Sequence, residues 1–452
     1  MNRRIRLIVL LWFTIFNSLG SQTYSESDSL ALLAVDSVCD GSGTLNWDTE
    51  PDPGNWTGIT WDTLVPRRVI ELKVGVKDLS GILNATSLSS LRILHCFYND
   101  LSGLKVNGLD SLLEISCNIN QLDSLDVSNL DNLRFLFCSQ NDLTFMDVSN
   151  CTLLDQIDCA YNDLESLEMP ELIKFRFLYC SFNSLKTLDV TKLPKLVDLW
   201  CDYNQLTSLD LSGQTTLFQL DFSNNYLSVL DLSDLEITGS LRCINNNLSY
   251  LDVSGSEDIY DVRCENNRLP FSSLITAYGV NYFTYSPQKR IFLPAEREVD
   301  TTLNYSSEAN IEDTLTQFVF YKDDVPAETN NSGVFATTGV GIYHCLMTNA
   351  LFPGLTLTTA SVTVTGVSGI VPVSKEELCV YPNPVTDIFH LSPSQQDPIS
   401  GIRMYAAEGR EILFDENPAS PVEIDMVNFS PGLYIVKIIT PGSTASVKLI
   451  KQ

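Results

Sequence analysis

Carboxylates and cysteines are the residues whose spacing could do chemistry in this sequence, and both recur at a fixed interval. Acids stand at Asp126, Asp147, Glu168, Asp189, Asp210, Asp231 and Asp252, each 21 residues after the last, with Lys105 at the head of the column. Carboxylates stacked about 5 Å apart repel unless they are hydrated, paired or bound to a hard cation such as Ca²⁺. The simpler expectation is that each carboxylate caps amides of its own turn, helped by Ser128, Ser149, Ser212, Ser233 and Ser254. A second column holds Cys96, Cys117, Cys138, Cys159, Cys180, Cys201, Phe222, Cys243 and Cys264. Its tolerance of phenylalanine marks an apolar slot, so the expectation is a ladder of reduced, buried thiols in place of disulfides or a soft-metal site. Cys39, Cys151, Cys345 and Cys379 lie outside the column without metal-type spacing. The three histidines, His95, His344 and His390, fall in different parts of the chain, and no phosphate loop is present. No catalytic residue, metal or cofactor is therefore assigned, and an enzyme is not expected.

The elements that position these columns follow from the same period. Asn99, Asn120, Asn141, Asn162, Asn183, Asn204, Asn225, Asn246 and Asn267 succeed one another every 21 residues without a slip. The unit reads L-x-x-L-x-C-x-x-N-x-L, as in Leu196 to Leu206. A strict repeat of this length predicts a solenoid. Each L-x-C segment is a short strand, successive turns stack as a parallel sheet, and leucine and cysteine point inward at alternate positions. The asparagine stands where the chain turns away and satisfies backbone groups that would otherwise be buried unpaired. This unit resembles the leucine-rich repeat over roughly residues 69–275, with Lys77 in the asparagine slot of a looser first turn. The expected fold is mainly β: a leucine-rich-repeat solenoid with a parallel sheet, followed by two small β-sandwich domains.

Residues flanking the inward leucine face out on the concave side. There Phe135, Phe137, Phe177, Tyr179 and Trp200 crowd the middle of the sheet, bordered by Asp158, Asp198, Asp202 and Asp221. Clustered exposed aromatics mark a contact surface, so these rings, with Asp158, Asp202 and Asp221, are the candidate ligand-binding residues for a protein loop or a glycan. The bland alternative is cross-strand stacking that only stiffens the sheet. Two other functions stand behind a binding protein. One is a structural surface or stalk component. The other is a polysaccharide-acting enzyme using Asp158, Asp202 and Asp221 for acid–base work.

Other segments define the ends. Residues 1–20 carry Arg3, Arg4 and Arg6 before a short apolar run and then Ser18-Leu19-Gly20, the pattern of a secretory signal peptide. In residues 21–68 a helix is predicted over Ser27–Val38, capped by Ser27 or Asp28, with Leu30, Leu33 and Val38 on one face. Trp47, Trp56 and Trp61 follow, and Asn55 to Trp61 resembles the N-terminal cap of plant-type leucine-rich repeats, with Gly54 and Trp61 where that family has cysteines. The repeats are expected to span 69–280. Residues 285–366 read as strands, including Arg290 to Leu293 and Phe318 to Lys322, and Tyr343-His344-Cys345 resembles the Y-x-C of immunoglobulin-like domains, with Phe320 at the core tryptophan position and no first cysteine. A linker is expected at Val367 to Ser374. Residues 375–452 contain Val380-Tyr381-Pro382-Asn383-Pro384, Phe429 to Lys437 with its Gly432-Leu433-Tyr434, and a closing Val447 to Gln452. In order and spacing these resemble the C-terminal sorting domain of type IX secretion cargo, which implies a β-sandwich read by that secretion machinery.

The charge fits an exported protein. With 28 Lys+Arg against 56 Asp+Glu, the formal net charge is −28. Such a chain repels nucleic acid and anionic membranes, and no later segment is long enough to cross a bilayer. The expected function is a secreted or cell-surface protein, exported through the periplasm, that binds an extracellular protein or glycan.

Overall fold

The computed structural model describes residues 24–232, 235–256, 258–291, 296–298 and 302–365, and in the tail 379–381, 388–392, 401–406, 411–415, 422–427, 429, 432–439 and 444–451. The expected signal peptide, the linker at 367–374, Phe292-Leu293 and Pro382-Asn383-Pro384 lie outside the described residues. The chain divides into two compact units, one reaching Thr363 and the other holding the tail.

The first unit is built on a twelve-stranded sheet. Ile59–Trp61 pairs antiparallel with Val69–Lys73, and every later neighbour is parallel, through Ile93–His95 to Tyr282–Thr284. The central rungs are Phe135–Phe137, Gln156–Asp158, Phe177–Tyr179, Asp198–Trp200 and Gln219–Asp221, paired in register. The column leucines and cysteines are fully buried.

The asparagine ladder explains why the period is strict. Asn204 donates through Nδ2 to the carbonyl of Cys180 one turn earlier (3.0 Å) and to that of Cys201 in its own turn (3.1 Å). Its Oδ1 accepts from Leu185 N at 2.9 Å. The same bonds recur from Asn99 to Asn267. With a longer bond to Asp202 O, one side chain thus serves four backbone groups on two turns, and a one-residue slip would break all of these bonds.

Each residue just before a ladder asparagine is left-handed. From Tyr98 through Ile119, Gln140, Tyr161, Phe182, Tyr203, Asn224 and Asn245 to Asn266, φ lies between 52° and 58°. This conformation is uncommon outside glycine and asparagine, yet three successive turns place an aromatic there.

Both ends of the solenoid are covered. The helix Glu26–Cys39 is capped by Ser25, two or three residues before the predicted caps, and buries Leu32, Val35 and Cys39. Val38, predicted on the inner face, is 65% exposed. Asp28 decides the rotation: it is fully buried, forms a bidentate pair with Arg68 (Nη2–Oδ1 2.8 Å) and accepts from Val69 N. Trp47, Trp56 and Trp61 each donate their indole N–H to a main-chain carbonyl, and Trp47 stacks on Trp56 at 6.0 Å.

At the other end the sheet runs one strand past residue 280. Gln288, 21 residues after Asn267, closes the ladder. Its Nε2 donates to Cys264 O at 2.9 Å and its Oε1 accepts from Leu269 N at 3.1 Å. The module beyond seals this end. Phe352 is buried among Phe271, Tyr278 and Tyr285, with ring centroids 5.4 to 6.0 Å away. Glu308, also buried, accepts from Ser272 N and Oγ.

That module carries a sheet ordered Glu296–Glu298, Val362–Thr365, Gly341–Thr348, Gln317–Lys322, Val325–Asn330, in which the last three strands pair antiparallel, and an antiparallel pair formed by Thr302–Asn304 and Val334–Ala336. Phe318, Phe320, Tyr343, Cys345 and Met347 are its buried core, with Cys345 paired in register with Phe320. The tail, described by itself, has a four-stranded sheet ordered Glu411–Asp415, Gly401–Ala406, Gly432–Ile439, Thr444–Lys451 and a three-stranded one, Cys379–Tyr381, Ile388–Ser392, Val422–Asp425. Met404, Met426, Val436, Ile438 and Leu449 form its core.

Candidate binding site on the concave face

Short strands in a parallel stack put equivalent residues of successive turns side by side about 4.8 Å apart. The sequence candidates therefore fall into rows. One runs Phe135, Gln156, Phe177, Asp198; the next runs Phe137, Asp158, Tyr179, Trp200, Asp221. Phe135, Phe137, Phe177 and Tyr179 are half-buried, and Trp200 is 41% exposed. Tyr179 and Trp200 meet edge to face at 5.0 Å. Phe137 is separated from Tyr179 by Asp158, and Phe135 from Phe177 by Gln156, so the five rings do not make one stack. The Arg176 guanidinium, held by Asp155, lies 5.1 Å over the Phe177 ring.

A further column belongs to the site. Tyr161, Phe182 and Tyr203 stack face to face at 4.2 and 4.1 Å along the rim of the same turns. Tyr161 and Tyr203 are about half exposed. Three aromatics in one column were the available signal. Their outward direction depends on the left-handed backbone, which alternation along a strand does not foretell.

The acids sit among the rings. Asp158 accepts from Ser139 Oγ (3.0 Å) and Ala160 N (3.2 Å). Asp202 accepts from Ser181 Oγ, and Asp198 from the Tyr179 hydroxyl at 3.3 Å. Burial pushes the carboxyls of Asp158, Asp198 and Asp202 above the usual range. Asp198 Oδ1 is shielded from solvent and has no partner. Burial, then the charge of Asp198, pushes the Tyr179 phenol up to about 12, which keeps it a donor at neutral pH. Asp221 accepts from Ser223 N and lies 3.9 Å from Arg242. Asp158 and Asp221 are three rungs apart, roughly 14 Å, wider than the carboxylate pairs of glycosidases.

The outer acid column is different. Asp126, Asp147, Asp189, Asp210 and Asp252 each accept from the amide two residues on, at 2.9 to 3.1 Å. Hydrogen bonds from those serines and Thr191 hold these carboxyls below the usual range. They cap turns, and among the described residues no cluster of acids, histidines and cysteines could hold a metal ion.

The eight cysteines of the column point inward and, like Cys39, Cys151 and Cys345 outside it, are free and buried, and burial drives Cys117 and Cys345 up to about 12. A thiol in that state is a poor nucleophile. These thiols are expected to resist a thiol-reactive disulfide reagent in the native protein and to react once guanidinium unfolds it. Rapid labelling of the folded protein would contradict a closed ladder.

Residues 379–452 match the model of the secretion system C-terminal sorting domain. This tail is a type IX secretion sorting domain. The sorting domain marks the chain for export to the outer surface or the medium. No helix among the described residues is long and apolar enough to cross a membrane. The solenoid has the leucine-rich-repeat fold. Similar solved structures include the functional domain of InlJ from Listeria monocytogenes, described as including a cysteine ladder (19% identity, 65% of this chain, 90% of that one, TM-score 0.30). YopM from Yersinia enterocolitica (24%, 46% and 50%, TM-score 0.34) and a TDR receptor (20%, 49% and 43%, TM-score 0.42) are others. No curated protein matches the chain.

Proposed function

We propose that this exported chain is a binding protein whose concave face captures an extracellular protein or glycan. The observation that carries the reading is the exposure of Trp200 beside Tyr179, in the same turns as the rim ladder of Tyr161, Phe182 and Tyr203. Large rings left in solvent on a rigid sheet offer contact area at little entropic cost. The module at 285–366 serves as an immunoglobulin-like spacer that also closes the solenoid, and the sorting domain delivers the assembly to the cell surface or beyond.

The test passes the purified chain over protein and glycan arrays beside a Phe137→Ala/Trp200→Ala variant of equal stability. Partner signal is expected to fall at least about tenfold in the variant, as for loss of interface anchors. A partner bound equally by both would remove recognition from this face.

A further inference from the structure

The concave centre can be laid out as four rows on five rungs. The rows begin at Phe135, Phe137, Ser139 and Gln140, and each advances by 21 residues to Gln219, Asp221, Ser223 and Asn224. Of these twenty positions eight are aromatic (Phe135, Phe137, Tyr161, Phe177, Tyr179, Phe182, Trp200 and Tyr203). Four are carboxylates (Asp158, Asp198, Asp202 and Asp221), and none is basic. Arg242, on the next strand, is shared between Asp221 and Asp261, and Arg176 at the edge is engaged by Asp155.

Ring faces and carboxylates have one electrostatic preference in common: both attract cations. Here they alternate. Asp158 stands between Phe137 and Tyr179, and Trp200 between Tyr179 and Asp221. Asp202 follows Trp200 and Cys201 in the chain and precedes Tyr203. The chain already shows the interaction internally, since Arg176 lies over Phe177. Burial raises the carboxyls of Asp158, Asp198 and Asp202, with Arg242 offsetting it only in part at Asp202, and Asp198 Oδ1 has no donor. A second copy of this chain, at net −28, is a poor occupant.

Resting on the proposed concave site, we infer that its partner is a basic protein segment, whose arginine or lysine heads lie over the Tyr179, Trp200 and rim rings and pair with Asp158, Asp198 and Asp202. Guanidinium groups suit this surface best, being planar, weakly hydrated and able to stack and donate at once.

Trp200 supplies the readout, because the other tryptophans, at positions 12, 47, 56 and 61, precede the repeats. The full chain is titrated, with tryptophan fluorescence, against a blocked arginine-rich peptide and against the same peptide with citrulline replacing arginine. Two charge-matched variants accompany it: Asp158→Asn/Asp202→Asn on the concave face and Asp147→Asn/Asp210→Asn in the outer column. Saturable binding is expected that weakens about tenfold or more with citrulline and in the concave variant, and stays near wild type in the outer variant. Equal weakening in both variants would reduce the effect to net charge and overturn the inference. Absence of saturable binding, or equal binding of citrulline peptide, would overturn it too. A neutral glycan bound by the chain and lost in Phe137→Ala/Trp200→Ala would keep the concave site while overturning its basic occupant.

Discussion

Asn204→Ala is expected to cost at least about 2 kcal/mol, because it orphans the buried Leu185 N at about 1–3 kcal/mol and removes one of two amide donors from each of two carbonyls. Asn204 is 6% exposed, so water cannot readily replace the side chain. Leu185 N is left unpaired, while the carbonyls of Cys180 and Cys201 keep only Asn183 and Asn225 as donors, so the loss spans two turns. The damage therefore falls on the contact between turns as well as on one loop, and in a solenoid that contact carries the stability. Gln205→Ala, at the exposed neighbour, is the control and should stay within about 0.5 kcal/mol. Guanidinium unfolding followed by circular dichroism reads both. Equal midpoints for the two variants would mean that the ladder only accompanies the fold.

Phe352→Ala is expected to have a comparable effect at the far end, about 3–5 kcal/mol for a buried phenylalanine truncated to alanine. Phe352 is 1% exposed and packs on Phe271, Tyr278 and Tyr285, all from the closing turns of the solenoid. Removing the ring opens the last turn and loosens the module that covers it. Ser272 and Glu308 still join the two, so the link weakens without being severed. Calorimetry is expected to show one shared transition of this unit in the wild type separating into two in the variant. A variant that melts with the wild-type profile would show that the solenoid closes without its neighbour. Val325→Ala, at a residue 64% exposed in the same module, should leave the profile unchanged.

Which residues were legible in advance follows a physical pattern. The ladder asparagines and the cysteine slot were readable because each turn repeats the same demand at the same spacing, so nine copies reinforce one inference. The capping role of Asp126, Asp147 and Asp210 was readable for the same reason, since the partners are two residues away in the chain. The concave rows were readable because strand alternation fixes which residues face out.

Other features needed the fold. Gln288 does the work of an asparagine, but the leucines around it have lapsed, and only the stacking of Tyr282–Thr284 on Asp261–Arg263 shows that the turn exists. The cap helix turned a different face inward because Asp28 meets Arg68, 40 residues away, and a helical wheel has no knowledge of that pair. Tyr161, Phe182 and Tyr203 form a rim because a left-handed residue breaks the alternation. The sequence alone thus determined the period, the inward and outward columns and the sorting tail, all of which rest on local spacing. The tertiary structure alone decided the closing turn, the cap's orientation, the aromatic rim and the burial that raises the carboxyls of Asp158, Asp198 and Asp202, because each depends on partners distant in the chain.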